Sequence, residues 1–380
     1  MIELYTAQTM KTMARFFTEP AFAHQNPAKI GVLLINLGTP EAPTAAAVRP
    51  YLRQFLSDPR VVEIPKPIWW LILNGIILTV RPKKSAEKYA SIWTKEGSPL
   101  KVWTEKQAKL VKGLLGESLP GQLVVDYAMR YGNPSIESQI AKLKAANCQK
   151  IIIVPLYPQY AASTTASVND EVYRVLQKTR FQPAIRTVAP YFDHPAYIAA
   201  LAQQVRSHWQ VNGRGDHLLM SFHGVPRYTL SKGDPYHCHA LKTGRLLAEA
   251  LELTPEQYTV AFQSRFGKAE WLKPYTSKVI DDLGKKHIGQ LDVFCPGFVA
   301  DCLETLEEIA IEGKHDFVSA GGKKYNFIPC LNDQPLWIST LETLIKTELT
   351  GWLTNGKADS RNENQLNQTL SLAKTLNAPN

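Results

Sequence analysis

Six short apolar runs, each followed by a stretch with helical spacing, limit what this chain can fold into more than any other feature. In the first half they are Gly31–Leu37 (GVLLINL), Leu123–Met129 (LVVDYAM) and Lys150–Leu156 (KIIIVPL). In the second half they are His217–Phe222 (HLLMSF), Tyr258–Gln263 (YTVAFQ) and Leu291–Cys295 (LDVFC). Strand-like runs alternating with helices are the signature of α/β architecture with a mostly parallel sheet. The halves also share a plan. Arg130-Tyr131-Gly132 closes one strand and Arg265-Phe266-Gly267 closes its counterpart, while Pro158 and Pro296 each sit in the turn after a third strand. A helix then begins near Thr165 and near Val299. The expected fold is α/β, with two similar Rossmann-like, doubly wound halves facing each other across a cleft.

A length of 380 residues agrees with two domains rather than one. Residues 1–29 read as an N-terminal extension, 30–190 as the first half and 191–330 as the second, with the boundary near Pro190–Tyr197. Asp333–Leu353 places Trp337, Leu341, Leu344, Ile345 and Leu349 on one face, so 331–353 reads as an amphipathic C-terminal helix. The Asn/Thr/Gln-rich residues 354–380 are expected to form a polar, disordered tail.

Formal charge is +9, which favours anionic partners such as a phospholipid surface, a nucleic acid or a carboxylated small molecule. The basic residues are scattered and do not alternate with aromatics, which argues against nucleic acid. No phosphate loop or G-x-G-x-x-G run points to a nucleotide cofactor. Cys148, Cys238, Cys295, Cys302 and Cys330 are odd in number, widely spaced and form no C-x-x-C pair, so a reducing compartment is expected. Residues 1–27 lack the apolar core of a signal peptide, and a cytoplasmic location follows as the expectation.

Ile68–Val80 (IWWLILNGIILTV) stands apart. It is shorter than the ~20 residues a spanning helix needs. Lys66 precedes it and Arg81, Lys83 and Lys84 follow. Two readings stay open: a buried core helix, or an apolar lip with a basic rim that touches a membrane or admits a greasy ligand.

In open parallel sheets ligands sit beyond the carboxyl ends of the strands, so the residues just after each run are the candidates for chemistry. His223 ends the run HLLMSF. Asp301, Glu304, Glu308 and Glu312 recur at steps of three, four and four after Pro296-Gly297-Phe298, which at α-helical pitch stacks four carboxylates on one face. Such a stripe usually marks a solvated face. Starting at a strand end opposite a histidine, it also suits a divalent metal or proton transfer. Arg81, Arg130 and Tyr131, with Tyr157-Pro158-Gln159-Tyr160 and Ser163-Thr164-Thr165, would add guanidinium groups for an acid and aromatic faces for a flat ring. Each also has a structural use, in ion pairs or helix caps. His237-Cys238-His239 reads as a surface cluster at a helix start, because consecutive side chains diverge and no second pair lies at metal-binding spacing.

Taken in order, these segments resemble the ferrochelatase family. They are LLINLGTP (33–40), YLRQFLSDPRVVEIP (51–65), GSPL (97–100), MRYGNPSI (129–136), PLYPQYAASTTAS (155–167), SFHGVPRYTLSKGDPY (221–236), VAFQSRFG with a following Trp271 (260–271), and CPGFVADCLETLEE (295–308). The resemblance implies two Rossmann-like halves clasping a porphyrin, and insertion of ferrous iron into protoporphyrin IX. By the same resemblance His223 and Glu304 match the metal-binding and catalytic pair, and Asp301, Glu308 and Glu312 the acidic path. Arg81 and Ser98 match propionate-holding positions, and Arg130, Tyr157 and Trp271 pocket positions, with Tyr131 beside them. Segment 68–80 matches the porphyrin lip, which would also give a peripheral contact with the inner membrane face. Ferrous iron is then a substrate, with no resident cofactor. Cys302 stands where some members carry a histidine. Cys330 is the last cysteine, so the C-terminal iron–sulfur cluster of some members is not expected.

The residue types suit that reaction. Two pyrrole protons must leave as the metal enters, and imidazole exchanges protons near neutral pH. Oxygen and nitrogen ligands release a ferrous ion that thiolates would retain. Rival readings are a chelatase using cobalt or coproporphyrin, and a two-lobed porphyrin- or iron-binding protein without catalysis.

Overall fold

Two four-stranded, wholly parallel sheets of the same strand order make up the molecule. The computed structural model describes residues 15–21, 24–265, 267, 269–353, 356–359 and 361–378. The first sheet runs β2-β1-β3-β4, with β1 Lys29–Gly38, β2 Leu123–Tyr131, β3 Cys148–Pro155 and β4 Ala184–Thr187. The second runs β6-β5-β7-β8, with β5 His217–His223, β6 Tyr258–Gln263, β7 Gln290–Phe294 and β8 Lys324–Ile328. Strands covered by helices on both faces read as continuous apolar runs, which is why six of the eight were visible in sequence. The edge strands β4 (AIRT) and β8 (KYNFI) were not, because each is short and half-exposed.

The repeat in plan is also a repeat in backbone detail. Gly38 ends β1 at φ +110°, and a Cβ there would lie 1.7 Å from the Tyr131 carbonyl oxygen at the end of β2. In the second half a Cβ on Gly224 would lie 2.7 Å from the Gln263 oxygen at the end of β6. Each central strand therefore needs glycine where it crosses its neighbour's end. A π-helical turn follows the third strand in both halves, Ala162–Ala166 after β3 and Glu304–Gly313 after β7. Of the matching Arg-aromatic-Gly turns, Phe266 lies outside the described residues.

The helices Pro99–Ser118 and Pro335–Leu349 pack the halves together. Trp337, fully buried, packs against Tyr191 and Tyr197 at 6.0 and 6.1 Å. Buried Gln107 donates to the carbonyls of Val299 and Asn332, both at 2.8 Å, and so pins the turn after β7 to the first half. The tail departs from expectation. Glu363–Thr375 is helical, started by a reciprocal capping box between Asn362 and Gln365. A polar composition hid a good cap followed by helix-tolerant residues. Most of the 1–29 extension lies outside the described residues; within it, Phe17 N–H donates to the Lys178 carbonyl and Glu19 pairs with Lys144.

Segment 68–80 is neither wholly buried nor a simple helix. It runs from the helix Lys66–Ile72 through a π turn, Leu73–Ile77, into the helix Leu78–Ile92. Leu73 and Leu78 join Val48, Tyr51, Leu52, Leu56, Tyr89 and Tyr131 in a small core, and the Trp69 indole donates to the Leu56 carbonyl at 2.6 Å. The outer face is open: Trp70 is 63% exposed and Leu71 65%. Ile76 and Val80 are exposed beside them. No helix among the described residues is long and apolar enough to cross a membrane.

Gly38→Ala should destabilise the fold by about 3 kcal/mol or more, since both the φ and the space are wrong for a Cβ. Urea unfolding of the purified variant checks this; an unchanged midpoint would refute the role of the crossing.

Candidate active site

β5 delivers His223 to its carboxyl end, half-buried between Trp271 and Phe298, whose rings are each centred 6.5 Å away. The His223 Nδ1 lies 2.6 Å from the Gly224 carbonyl oxygen. A carbonyl can only accept, so Nδ1 is the donor and Nε2 is the ring nitrogen this bond leaves unengaged. The absence of a Cβ at Gly224 also matters here, because one would press within 3.0 Å of the Trp271 ring.

Beside His223 in the parallel register stands Gln263, at the end of β6. Gln263 is buried and fully used. Its Oε1 accepts from Ser221 (2.7 Å), and its Nε2 donates to the Glu304 carbonyl (2.7 Å) and approaches Glu308 Oε2 (3.3 Å). The next residue, Ser264, holds a positive φ of 64° and gives its N–H to Glu308 Oε1 at 2.7 Å, with its hydroxyl on the other oxygen. One amide and one turn thus fasten the acidic helix to the strand ends that carry His223. Neither residue was singled out in the sequence, where an amide after a strand is unremarkable.

The acidic stripe needs correction. Glu304–Gly313 is a π-helix, wound i→i+5 rather than i→i+4, and Asp301 lies ahead of it. Asp301 is buried and accepts from Thr305 Oγ1 (2.9 Å), Asn332 Nδ2 (2.7 Å) and the Cys330 N–H (3.3 Å), so it ties down the turn. The later carboxylates are set apart by their partners: Ser264 and Gln263 hold Glu308, while Lys88 holds Glu312. Glu307, absent from the sequence-based stripe, is turned inward; its side chain is 10% exposed and pairs with Lys88 at 2.8 Å. Glu312 shares Lys88 at 2.9 Å. No ion pair to Glu304 is recorded among the described residues. Buried Cys302 lies beside Glu304, and burial, with the Glu304 charge, pushes its thiol well up, so it stays protonated.

On the first half, Arg130 and Tyr131 converge on buried Asp58. Arg130 Nη2 donates to Asp58 at 2.6 Å, its Nε donates to Ser167, and Tyr131 and Ser167 hydroxyls donate to the same carboxylate at 2.8 and 2.5 Å. The Arg60 N–H adds a fourth donor at 2.8 Å. Burial alone would raise the Asp58 carboxyl, but these donors and the Arg130 charge outweigh it and hold the group below its ordinary range. Tyr131 is fully buried. Ser98, also buried, accepts from Thr39 Oγ1 at 2.8 Å. Arg81 is half-buried on the lip helix, and burial lowers its guanidinium from the ordinary value. The Tyr157 hydroxyl and the Trp271 indole N–H are buried without a hydrogen-bond partner in the protein. Burial drives the Tyr157 phenol well up, so it remains a donor. His239 is structural: its Nδ1 accepts from the Tyr160 N–H (3.2 Å) and its ring stacks on Phe192 at 3.6 Å.

The ferrochelatase sequence profile matches residues 29–349. The chain belongs to the ferrochelatase family. It is 62% identical over 349 residues to a ferrochelatase of Chromobacterium violaceum, covering 92% of this chain and 96% of the relative. It is 59% identical to one from Aromatoleum aromaticum (90% and 93% covered) and 56% to one from Nitrosomonas europaea (95% and 99%). As a ferrochelatase it is a metal chelatase of the lyase class, inserting ferrous iron into protoporphyrin IX to form protohaem.

Asp58→Asn should cost about 3 kcal/mol at neutral pH, the usual loss when one partner of a buried charge network is removed. Because the native carboxyl sits below its unfolded value near 3.9, its stabilisation is complete above that value and fades as pH falls through the native one. Denaturant midpoints of parent and variant should therefore differ by a constant amount down to about pH 5 and converge in stronger acid; a gap independent of pH would refute it.

Proposed function

We propose that His223 and Glu304 form the metal-transfer pair of this ferrochelatase. The observation that carries the reading is Gln263, which neighbours His223 across the β5–β6 register and holds the Glu304 main chain at 2.7 Å. A single buried amide therefore links the strand that ends in His223 to the carboxylate-bearing turn. With Nδ1–H engaged by Gly224, Nε2 is the atom that takes a pyrrole proton or contacts the entering ion. Glu304 is the oxygen ligand that passes iron to the ring. Such a hard, reversible donor suits an ion that must leave with the product. Glu308 and Glu312 continue the approach along the π-helix, and Asp301 supports it by fixing the turn.

The porphyrin lies against Trp271 and Tyr157, whose unpartnered N–H and O–H are costly to bury unless a ligand meets them. Arg81 on the lip helix takes a propionate. Arg130, Tyr131 and Ser98 shape the same wall, the first two through Asp58 and the third through Thr39. Contacts to these remote groups offset the strain of bending the macrocycle. Outside, the apolar lip with Lys66, Lys83 and Lys84, all exposed, rests on an anionic membrane surface, making the enzyme peripheral at the inner membrane face.

Two measurements test this. His223→Ala should abolish zinc or ferrous insertion in an anaerobic absorbance assay while porphyrin still quenches tryptophan fluorescence. Glu304→Gln should lower kcat by roughly 10²–10⁴. Retained turnover in His223→Ala would sink the assignment. In a vesicle sedimentation assay, Trp70→Glu with Leu71→Glu should release the protein from phosphatidylglycerol vesicles without lowering kcat; undiminished binding would refute the lip contact.

A further inference from the structure

The loop that leaves His223 has a course that the iron-insertion reading does not use. It first runs beside Trp271. The Arg227 N–H donates to the Glu270 carbonyl at 2.8 Å, the Leu272 N–H donates to the Val225 carbonyl at 3.0 Å, and Pro226 and Trp271 pair as an isolated antiparallel bridge. The chain then reaches the first half at three points. The Ala162 N–H donates to Asp234 Oδ2 at 2.7 Å, the Tyr160 N–H donates to His239 Nδ1 at 3.2 Å, and Lys232 Nζ donates to Glu63 Oε2 at 2.7 Å. The three contacts differ in kind. The bonds to Ala162 and Tyr160 are partly buried and hold main-chain groups of the turn after β3. The Lys232–Glu63 pair is open to water, with side chains 62% and 40% exposed, and Glu63 stands just ahead of the lip helix Lys66–Ile72.

We propose that Lys232 and Glu63 form a latch on the porphyrin cleft, tying the base of the lip to the loop from His223 and opening each time a porphyrin enters or a metalloporphyrin leaves. The Asp234 and His239 contacts are the fixed side on which it turns. The inference rests on the reading of segment 68–80 as the porphyrin lip. An exposed ion pair contributes little, because water and salt compete for both groups. That weakness suits a latch, which must bias the cleft shut without trapping the product. The Lys232 ammonium also lies 4.7 Å from the centre of the Tyr228 ring, a contact that keeps it on the loop when the pair opens. A pair broken and remade at each passage raises the barrier to entry and to exit alike. It therefore slows both rates and leaves the affinity unchanged.

The test uses zinc protoporphyrin and needs no turnover. Binding is followed by stopped-flow quenching of tryptophan fluorescence without vesicles, and release by capture in excess apomyoglobin. Lys232→Gln and Glu63→Gln should each speed binding and release by roughly two- to fivefold, with Kd unchanged. The two substitutions alter net charge in opposite directions, so a shared acceleration is not electrostatic steering of propionates. The double variant Lys232→Gln/Glu63→Gln should be no faster than either single one. The reversed pair Lys232→Glu/Glu63→Lys should restore the parent's rates, and about 0.5 M NaCl should bring the parent up to the variants. Both side chains are exposed, so these changes leave the fold intact. Parental rates in either single variant would overturn the latch, as would faster release paired with weaker binding or opposite effects of the two on binding rate. Arg81→Gln separates the two readings. If it weakens porphyrin binding while the latch variants keep parental rates, the latch falls and the lip stands; if it leaves the affinity unchanged, the lip falls and the latch with it.

Discussion

The chemistry of this molecule depends on a buried amide. Gln263 takes a hydrogen bond from Ser221 on β5 and donates to the Glu304 carbonyl at the start of the π-helix. Ser221 and Gln263 are both buried, so an orphaned donor or acceptor there would be costly. Through Gln263 the strand that ends in His223 and the helix that carries the carboxylates are held in one frame. The positive φ at Ser264 then turns the next N–H onto Glu308. Strain of that kind is concentrated where a site must be placed rather than where a fold must be stable.

The winding of the acidic helix follows from the same attachment. A π-helix holds more residues per turn, with i→i+5 bonds, and is adopted where side-chain demands outweigh hydrogen-bond geometry. Here Glu304 meets a buried thiol, Glu308 a strand-end turn, and Glu307 and Glu312 one shared ammonium. Carboxylates that looked equivalent are thus separated by their partners. Burial and its acidic neighbour push the Cys302 thiol up, and it packs with Leu100 and Ala300.

The first half contributes a different kind of order. Asp58 gathers Arg130, Tyr131, Ser167 and the Arg60 N–H, so a charge pair is buried only with its remaining hydrogen-bond capacity met. Above it the lip turns an apolar face to solvent and a packed face inward. The π turn Leu73–Ile77 separates the two lip helices, and Pro82 in the second cannot donate to the Leu78 carbonyl.

Much of this was legible in the sequence because parallel strands, buried on both faces, must be continuously apolar; the six runs, the duplicated plan and the strand-end position of His223 follow from that requirement alone. The ordered motifs then specified the family. Edge strands β4 and β8 escaped because half-exposed strands lose the apolar signal. The helical tail escaped because a cap, not hydrophobicity, starts it. What only the tertiary structure decided were the partners: that Asp301 anchors a turn, that Glu307 faces Lys88 across more than two hundred residues of chain, and that Arg130 and Tyr131 answer to Asp58. An α-helical wheel drawn from spacing assigns side chains to faces, but the π winding and the residues that each carboxylate meets are set by long-range packing, which no local pattern encodes.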